Sequence, residues 1–319
     1  MILGQFLGDA ACLGTHWIYN LDTLNAEHPA LQGFEAPPPD HYHANRPSGA
    51  QTHYGEAAYV LLESVARLGA FNVADFGAHF ISHFSDPGYT GYCDGATKGT
   101  LSNYRRHIEK NPSRPFSYQQ GADDDQLATA TRLTPVVAAH LNAPELLVIV
   151  EKATRVCQDN DLAVAFMKAH ALLLRALLYG QSLPDAIRQT AEALPALDAR
   201  FGDQIKTMMG AALYDTRGVV EATMAYGQAC PLAQSFPSAL HAAVRHEHSM
   251  HDAILATLGA GGDNAGRAAM IGAWLGAANG TEGLPANWLK KLLLKEDIER
   301  LTGELCKKIA AQERRSSAV

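Results

Sequence analysis

An all-α fold, built as one compact multi-helix domain, is what this 319-residue chain predicts. Three observations carry that expectation. Apolar residues recur at three- and four-residue spacing through most of the chain, the period of an amphipathic helix. Alternating runs of β-branched residues nowhere occur together, so no substantial sheet is expected. Gly, Pro and Asn break the pattern at intervals that suit antiparallel helices joined by short loops.

Taken in order, Ile2, Phe6, Ala10 and Leu13 share one face of an opening helix, with Gly4, Gly8 and Cys12 as a small-residue stripe beside it. Residues 28–55 break every periodicity and mix Pro29, Pro37, Pro38, Pro39 and Pro47 with His41, Tyr42, His43 and Tyr54. A loop of that length in a compact domain is usually functional or mobile. Helical spacing resumes at Glu56 with Ala57, Val60, Leu61, Val65 and Leu68, and stops at Gly69. Further helices are expected over 73–85, 95–108, 124–140, 144–157, 161–179, 184–194, 202–214, 218–228, 237–245, 249–259, 264–280 and 286–312. Ser249 to Asp252 has capping-box spacing, with Asp in place of Glu. No repeat or linker argues for a cut, so the domain is read as 1–311, with 312–319 as a disordered tail.

The stretch Gly261–Gly280, GGDNAGRAAMIGAWLGAANG, is the most informative. A glycine-rich turn carrying Asp263 leads into a helix with Gly272, Gly276 and Gly280 on one face. Each interior helical glycine costs about 0.5–1 kcal/mol relative to alanine. A repeated cost implies a close neighbour at the backbone, most simply another helix.

Composition limits the partners. Hydrophobic residues make up 47% and charged residues 18%, which fits a large globular interior. A net charge of −7 gives no general attraction to nucleic acid or to anionic membranes. Cys12, Cys93, Cys157, Cys230 and Cys306 are odd in number, widely spread and free of CxxC pairs, which reads as reduced thiols. With no signal-like N-terminus and no long apolar run, the expected location is cytoplasmic. A small-molecule or modified-protein substrate and a monomeric state are expected.

Three ordered motifs carry a resemblance: Gly8-Asp9-Ala10, Gln51-Thr52-His53-Tyr54-Gly55-Glu56, and Gly261-Gly262-Asp263 before a small-residue helix. In order and spacing they resemble the ADP-ribosylglycohydrolase family, with its G-D-A helix, T-D-D-T motif and closing G-G-D-T-D-T. Arg132-Leu133-Thr134-Pro135 resembles the family's central R-x-x-P, and Gly280 to Trp288 its G-x-x-x-x-P-x-x-W. The resemblance spans about residues 3–295 and implies an all-α hydrolase fold that binds paired magnesium through the second and last motifs. At those positions this chain keeps Thr52 and Asp263 but has His53, Tyr54, Ala265 and Gly266. Its T-H-Y-G-E and G-G-D-N forms resemble the branch that holds the J-type lens crystallins.

Magnesium wants octahedral oxygen ligands with carboxylate charge, so a degenerate site with no magnesium, and no other cofactor, is expected. The resemblance implies a hydrolase for an N- or O-glycosidic ADP-ribosyl or related ribosyl bond. In that reading Asp263, Glu56 and His53 are the catalytic set. Asp9, Trp17, Thr52, Tyr54 and Asn264 hold the substrate. The alternative is a non-catalytic member that binds an ADP-ribose-like ligand or is structural. A third reading places zinc or another transition metal between His53 and Asp263.

Several residues also have plainer readings. Asp9 either orients a ligand or caps a neighbouring helix, and Asp263-Asn264 is also what an N-cap requires. His53, Tyr54 and Glu56 form either acid–base machinery or a polar contact surface. Trp17, beside His16 where the family has a glutamate, is a stacking wall or core. Asp123, Asp124 and Asp125 are read as a solvated helix start. His241, His246, His248 and His251 are read as surface residues, and His41 and His43 as candidate ligand contacts.

Overall fold

The computed structural model describes residues 1–316. Sixteen α-helices run through them in the order α1 (Ile2–Ala11), α2 (Leu21–Glu27), α3 (His53–Leu68), α4 (Val73–Phe84), α5 (Gly95–Lys110), α6 (Thr134–Ala139), α7 (Leu146–Arg155) and α8 (Asp161–Leu178). Then follow α9 (Leu183–Leu197), α10 (Gly202–Tyr214), α11 (Val219–Tyr226), α12 (Leu232–Arg245), α13 (Met250–Gly259), α14 (Asn264–Ala278), α15 (Ala286–Leu289) and α16 (Lys295–Ser316). Among the described residues β-structure amounts to isolated bridges, so the all-α expectation holds. No helix is long and apolar enough to cross a membrane.

α14 is the axis of the molecule. Every residue from Asn264 to Gly276 is buried, as a helix that is apolar all round requires. It packs on α1, α8, α12 and α13, while α3 lies against α1, α4, α6 and α16. The glycine stripes meet across the α1–α14 contact. A β-carbon on Gly4 or on Gly8 would run into the carbonyls of Gly272 and Ala268, and one on Gly272 into the carbonyl of Gly4. The Met1 amino group donates to the Gly276 carbonyl at 2.9 Å, and a β-carbon on Gly276 would stand 3.0 Å from that nitrogen. Gly280, just past the helix end, has φ +67°, and a β-carbon there would meet nothing within 4 Å, so its role is conformational.

Side-chain capping marks the start of half of the helices. Asn20, Thr52, Asn72, Asp94, Asn160, Ser182, Ser249 and Asp263 each accept a bond from a first-turn amide of the helix that follows. Deeper in the core, Trp274 Nε1 donates to His170 Nδ1 at 3.0 Å, and burial lowers the His170 pKa to about 3.

The structure departs from the sequence expectations in several places. The helix expected over 124–140 shrinks to α6, because Pro135 fits only a first helical turn. Asp123–Asp125 therefore precede irregular chain, and Asp124 Oδ1 accepts from the Gln126 amide and Gln158 Nε2. α2 is an addition, α3 starts at His53 instead of Glu56, and α12 starts at Leu232, ahead of Pro237. The terminal helix is divided into α15 and α16. α16 continues to Ser316, past the Gln312 where a tail was expected, and residues 317–319 of that tail lie outside the described residues. His241 is fully buried within α12, which corrects its reading as a surface residue.

Two outcomes follow. Gly272→Ala should lower stability by about 3 kcal/mol, because helix backbones must separate to admit the methyl group. Gly303→Ala, in α16 with nothing within 4 Å, should be neutral or mildly stabilising. Denaturant melts of the two variants check this. The native pKa of His170 lies below its unfolded value, so the unfolded chain takes up the proton first as pH falls. His170 thus withdraws stability between about pH 6.5 and 3. His170→Gln should flatten that decline by on the order of 1 kcal/mol per pH unit, read from urea midpoints across the range.

Candidate functional site

The three sequence motifs converge. Asp263 ends the turn Gly261–Gly262, whose successive φ values of +62° and +64° are left-handed and suit glycine. That turn is pinned to the segment after α1: the Trp17 amide donates to the Gly262 carbonyl at 2.8 Å, and the Gly262 amide to the Ile18 carbonyl at 2.8 Å. The Asp263 carboxylate is fully buried. Its Oδ1 accepts from the Gly266 amide at 3.2 Å, and its Oδ2 from the Tyr54 hydroxyl at 2.7 Å and from Trp17 Nε1 at 3.4 Å. Burial and this carboxylate push the Tyr54 phenol well above its usual pKa.

Asp9 projects from α1 to the start of α3. Its Oδ2 accepts from the Thr52 amide at 2.8 Å and its Oδ1 from the Thr52 hydroxyl at 2.5 Å. Of the two readings offered for Asp9, the capping contact is present. Gly55 makes room for it, since a β-carbon there would lie 2.5 Å from Asp9 Oδ2. Burial raises the Asp9 pKa to about 7 despite the two Thr52 bonds, with the charges of Glu56 and Asp263 adding to the rise.

Between these carboxylates lies a packed set of rings. His16, Trp17, His43, His53, Tyr54 and Tyr92 have neighbouring centroids 3.9–6.3 Å apart. His16, His43 and His53 are 0%, 2% and 3% exposed. Burial lowers all three pKa values, that of His43 to about 3, and their mutual proximity lowers those of His16 and His43 further. All three are therefore neutral at pH 7. His53 Nε2 stands 3.8 Å from Asp94 Oδ2, and His16 Nδ1 the same distance from Asp263 Oδ1. Trp17 holds φ +66°, strained for a bulky residue. Outside it, Trp17, Tyr19, Asn20, Glu27, Asp40, His41 and Tyr42 border a cavity of about 310 Å³.

The residues singled out in the sequence thus divide. Asp263, Tyr54, Trp17 and His53 come together, and Thr52 joins Asp9. Glu56 is engaged elsewhere, by Arg46 and by the Tyr89 hydroxyl at 2.7 Å. Burial raises its pKa, with Tyr89 and Arg46 opposing the rise. Asn264 points into the core and donates to the Thr15 carbonyl and hydroxyl at 3.1 and 3.0 Å.

Asp94, Tyr92 and Cys230 belong to the same neighbourhood and were not singled out. Burial raises the Cys230 thiol pKa, and the Asp263 carboxylate adds to the rise. Only the Asn/Asp-type cap signal at Asp94 was available to sequence reasoning.

A family model described as ADP-ribosylglycohydrolase matches residues 1–315. Crystallin J1A of Tripedalia cystophora is 28% identical, over 96% of this chain and 95% of its own length. Crystallin J1B of the same organism is 26% identical, over 93% and 92%. A solved structure described as an ADP-ribosylglycohydrolase-related protein complex superimposes with a TM-score of 0.70 at 24% identity. It covers 97% of this chain and 96% of that one, which shows the shared fold. The resemblance to J-type crystallins read from the T-H-Y-G-E and G-G-D-N motifs is therefore matched over nearly the whole length.

Tyr54→Phe keeps the ring and removes one donor to a buried carboxylate. It should cost about 2 kcal/mol in urea unfolding, with the helical circular dichroism unchanged.

Proposed function

The chain belongs to the ADP-ribosylglycohydrolase family, and from that premise we propose that it is a non-catalytic member whose cleft is closed by its own side chains. The observation that carries this reading is the saturation of Asp263. The carboxylate that a hydrolytic mechanism would place beside the ribose is 0% exposed, with both oxygens bonded inside the protein.

The donors do not suit the paired magnesium ions that the family implies. Thr52 spends its hydroxyl on Asp9. His53 and Tyr54 occupy the two aspartate positions of the second motif, and neither offers the anionic oxygen that magnesium takes. Ala265 and Gly266 offer no side-chain oxygen, and a β-carbon at 266 would stand 2.9 Å from Asp263 Oδ1 and 3.2 Å from the Tyr54 ring. No step is derived through that metal pair.

What stays open is the outer cavity beside Trp17 and Tyr42. At about 310 Å³ it lies at the small end of ligand pockets. Its aromatic walls suit a planar, nucleoside-sized group, while Glu27 and Asp40 on its rim oppose a pyrophosphate. A neutral nucleoside is therefore the favoured occupant over intact ADP-ribose. The kinship with proteins named crystallins accords with a fold retained for structure or binding.

A hydrolytic reading retains one supporting observation, the Tyr54–Asp263 hydrogen bond beside a strained Trp17. One experiment separates the two. Purified protein is mixed with ADP-ribosyl-arginine, ADP-ribosyl-serine and O-acetyl-ADP-ribose, with and without magnesium, and free ADP-ribose is measured. No release above the uncatalysed rate is expected, and adenosine should quench Trp17 fluorescence at lower concentration than ADP-ribose. Turnover by the wild type that disappears in Asp263→Ala, with its circular dichroism intact, would overturn the proposal in favour of hydrolysis.

A further inference from the structure

His16, His43 and His53 come from three separate segments: the turn after α1, the irregular stretch between α2 and α3, and the first turn of α3. One ring nitrogen from each lies within 4.8 Å of the others. His16 Nε2, His43 Nε2 and both nitrogens of His53 are buried without a hydrogen-bond partner. Buried polar atoms are nearly always satisfied, so orphaned nitrogens gathered at one point call for a ligand. Unpartnered nitrogens also occur at His170, whose Nδ1 accepts from Trp274, and at His241, so what sets these three rings apart is that their nitrogens converge.

We propose that His16, His43 and His53 form a binding site for a single transition-metal dication of the zinc class. Neutral imidazole is a ligand for zinc, copper, nickel and iron and a poor one for magnesium. The surroundings supply what such a site needs beyond its ligands. Asp94 Oδ2 stands 3.8 Å from His53 Nε2, and Asp263 Oδ1 stands 3.8 Å from His16 Nδ1. At that distance neither acid is hydrogen-bonded to its ring, and each acts on the site through its charge. The same two acids balance the charge of the dication.

Zinc–nitrogen bonds of about 2.0–2.1 Å in a tetrahedral site set ligands roughly 3.4 Å apart. The rings therefore draw together by about an ångström on loading, and the fourth position is left to water or to a ligand atom. The site differs from a His53–Asp263 pair, because Asp263 stands behind His16 and its oxygens are already bonded. The proposal rests on these donors and is independent of whether the cleft turns over a substrate.

The test uses the full chain, freed of metal with a chelator and titrated with Co²⁺ while visible absorption is recorded. One equivalent should produce the spectrum of a nitrogen-ligated, four- or five-coordinate cobalt and be displaced by Zn²⁺. Saturating Zn²⁺ should raise the melting temperature by on the order of 5 °C, because the ion ties three segments together. His43→Ala should weaken Co²⁺ binding by about 100-fold or more and Asp94→Asn by about tenfold. His248→Ala, at an exposed histidine, should leave it unchanged. Zinc-edge X-ray absorption of the loaded wild type should show imidazole scattering, a readout that needs no variant to fold. An oxygen-only shell, or affinity unchanged in both His43→Ala and His53→Ala, would overturn the site. Hydrolysis that appears only in zinc-loaded protein would refute the non-catalytic reading and leave this one standing.

Discussion

The backbone contact between α1 and α14 is the constraint on which the rest depends. Gly4 and Gly8 meet Gly272 and Ala268 with no side chain between them. Dispersion and close approach give such a contact its strength, and any added methyl group forces the helices apart. Asp9 follows Gly8 by one residue, and Asp263 precedes Ala268 by five. Both carboxylates are therefore positioned by the same interface. Glycine at these positions is a condition for the site to exist, well before any ligand is considered.

Those carboxylates then serve the fold. Asp9 fixes the start of α3 through Thr52, and Asp263 the start of α14 through the Gly266 amide. Acids at helix starts also meet the positive end of the helix dipole. With His53, Tyr54, Ala265 and Gly266 in place, the interior between the two caps is filled by aromatic rings. Its charge is reduced to neutral imidazoles, with acids confined to the perimeter.

Much of the fold was legible because helices with one apolar stripe write their period into the sequence. The glycine stripe predicted a close helix neighbour, and α1 is that neighbour. α2 escaped notice because only Leu24 among its seven residues is buried, too little to leave a period. The 124–140 expectation read apolar spacing and underweighted Pro135. His241 was grouped with the exposed histidines near it in sequence, although it lies on the inward face of α12. For the site, motif order located Asp9, Thr52–Tyr54 and Asp263. It did not show Glu56 turning to Arg46 and Tyr89, nor His43 arriving beside His16 and His53. Side-chain direction from an irregular segment is a tertiary fact with no local signature.

The tight fit of Tyr54 against Gly266 ties the two positions together. Restoring threonine at 266 alone would drive a branched side chain into Leu127 and the tyrosine ring. Restoring aspartate at 54 alone would leave a void and a second buried acid beside Asp263. Threonine at 266 and aspartate at 54 are each unfavourable without the other, so the two positions are coupled through packing. A single substitution at either place meets the other as an obstacle, and only a paired change reopens the hollow between Asp263 and the Tyr54 ring.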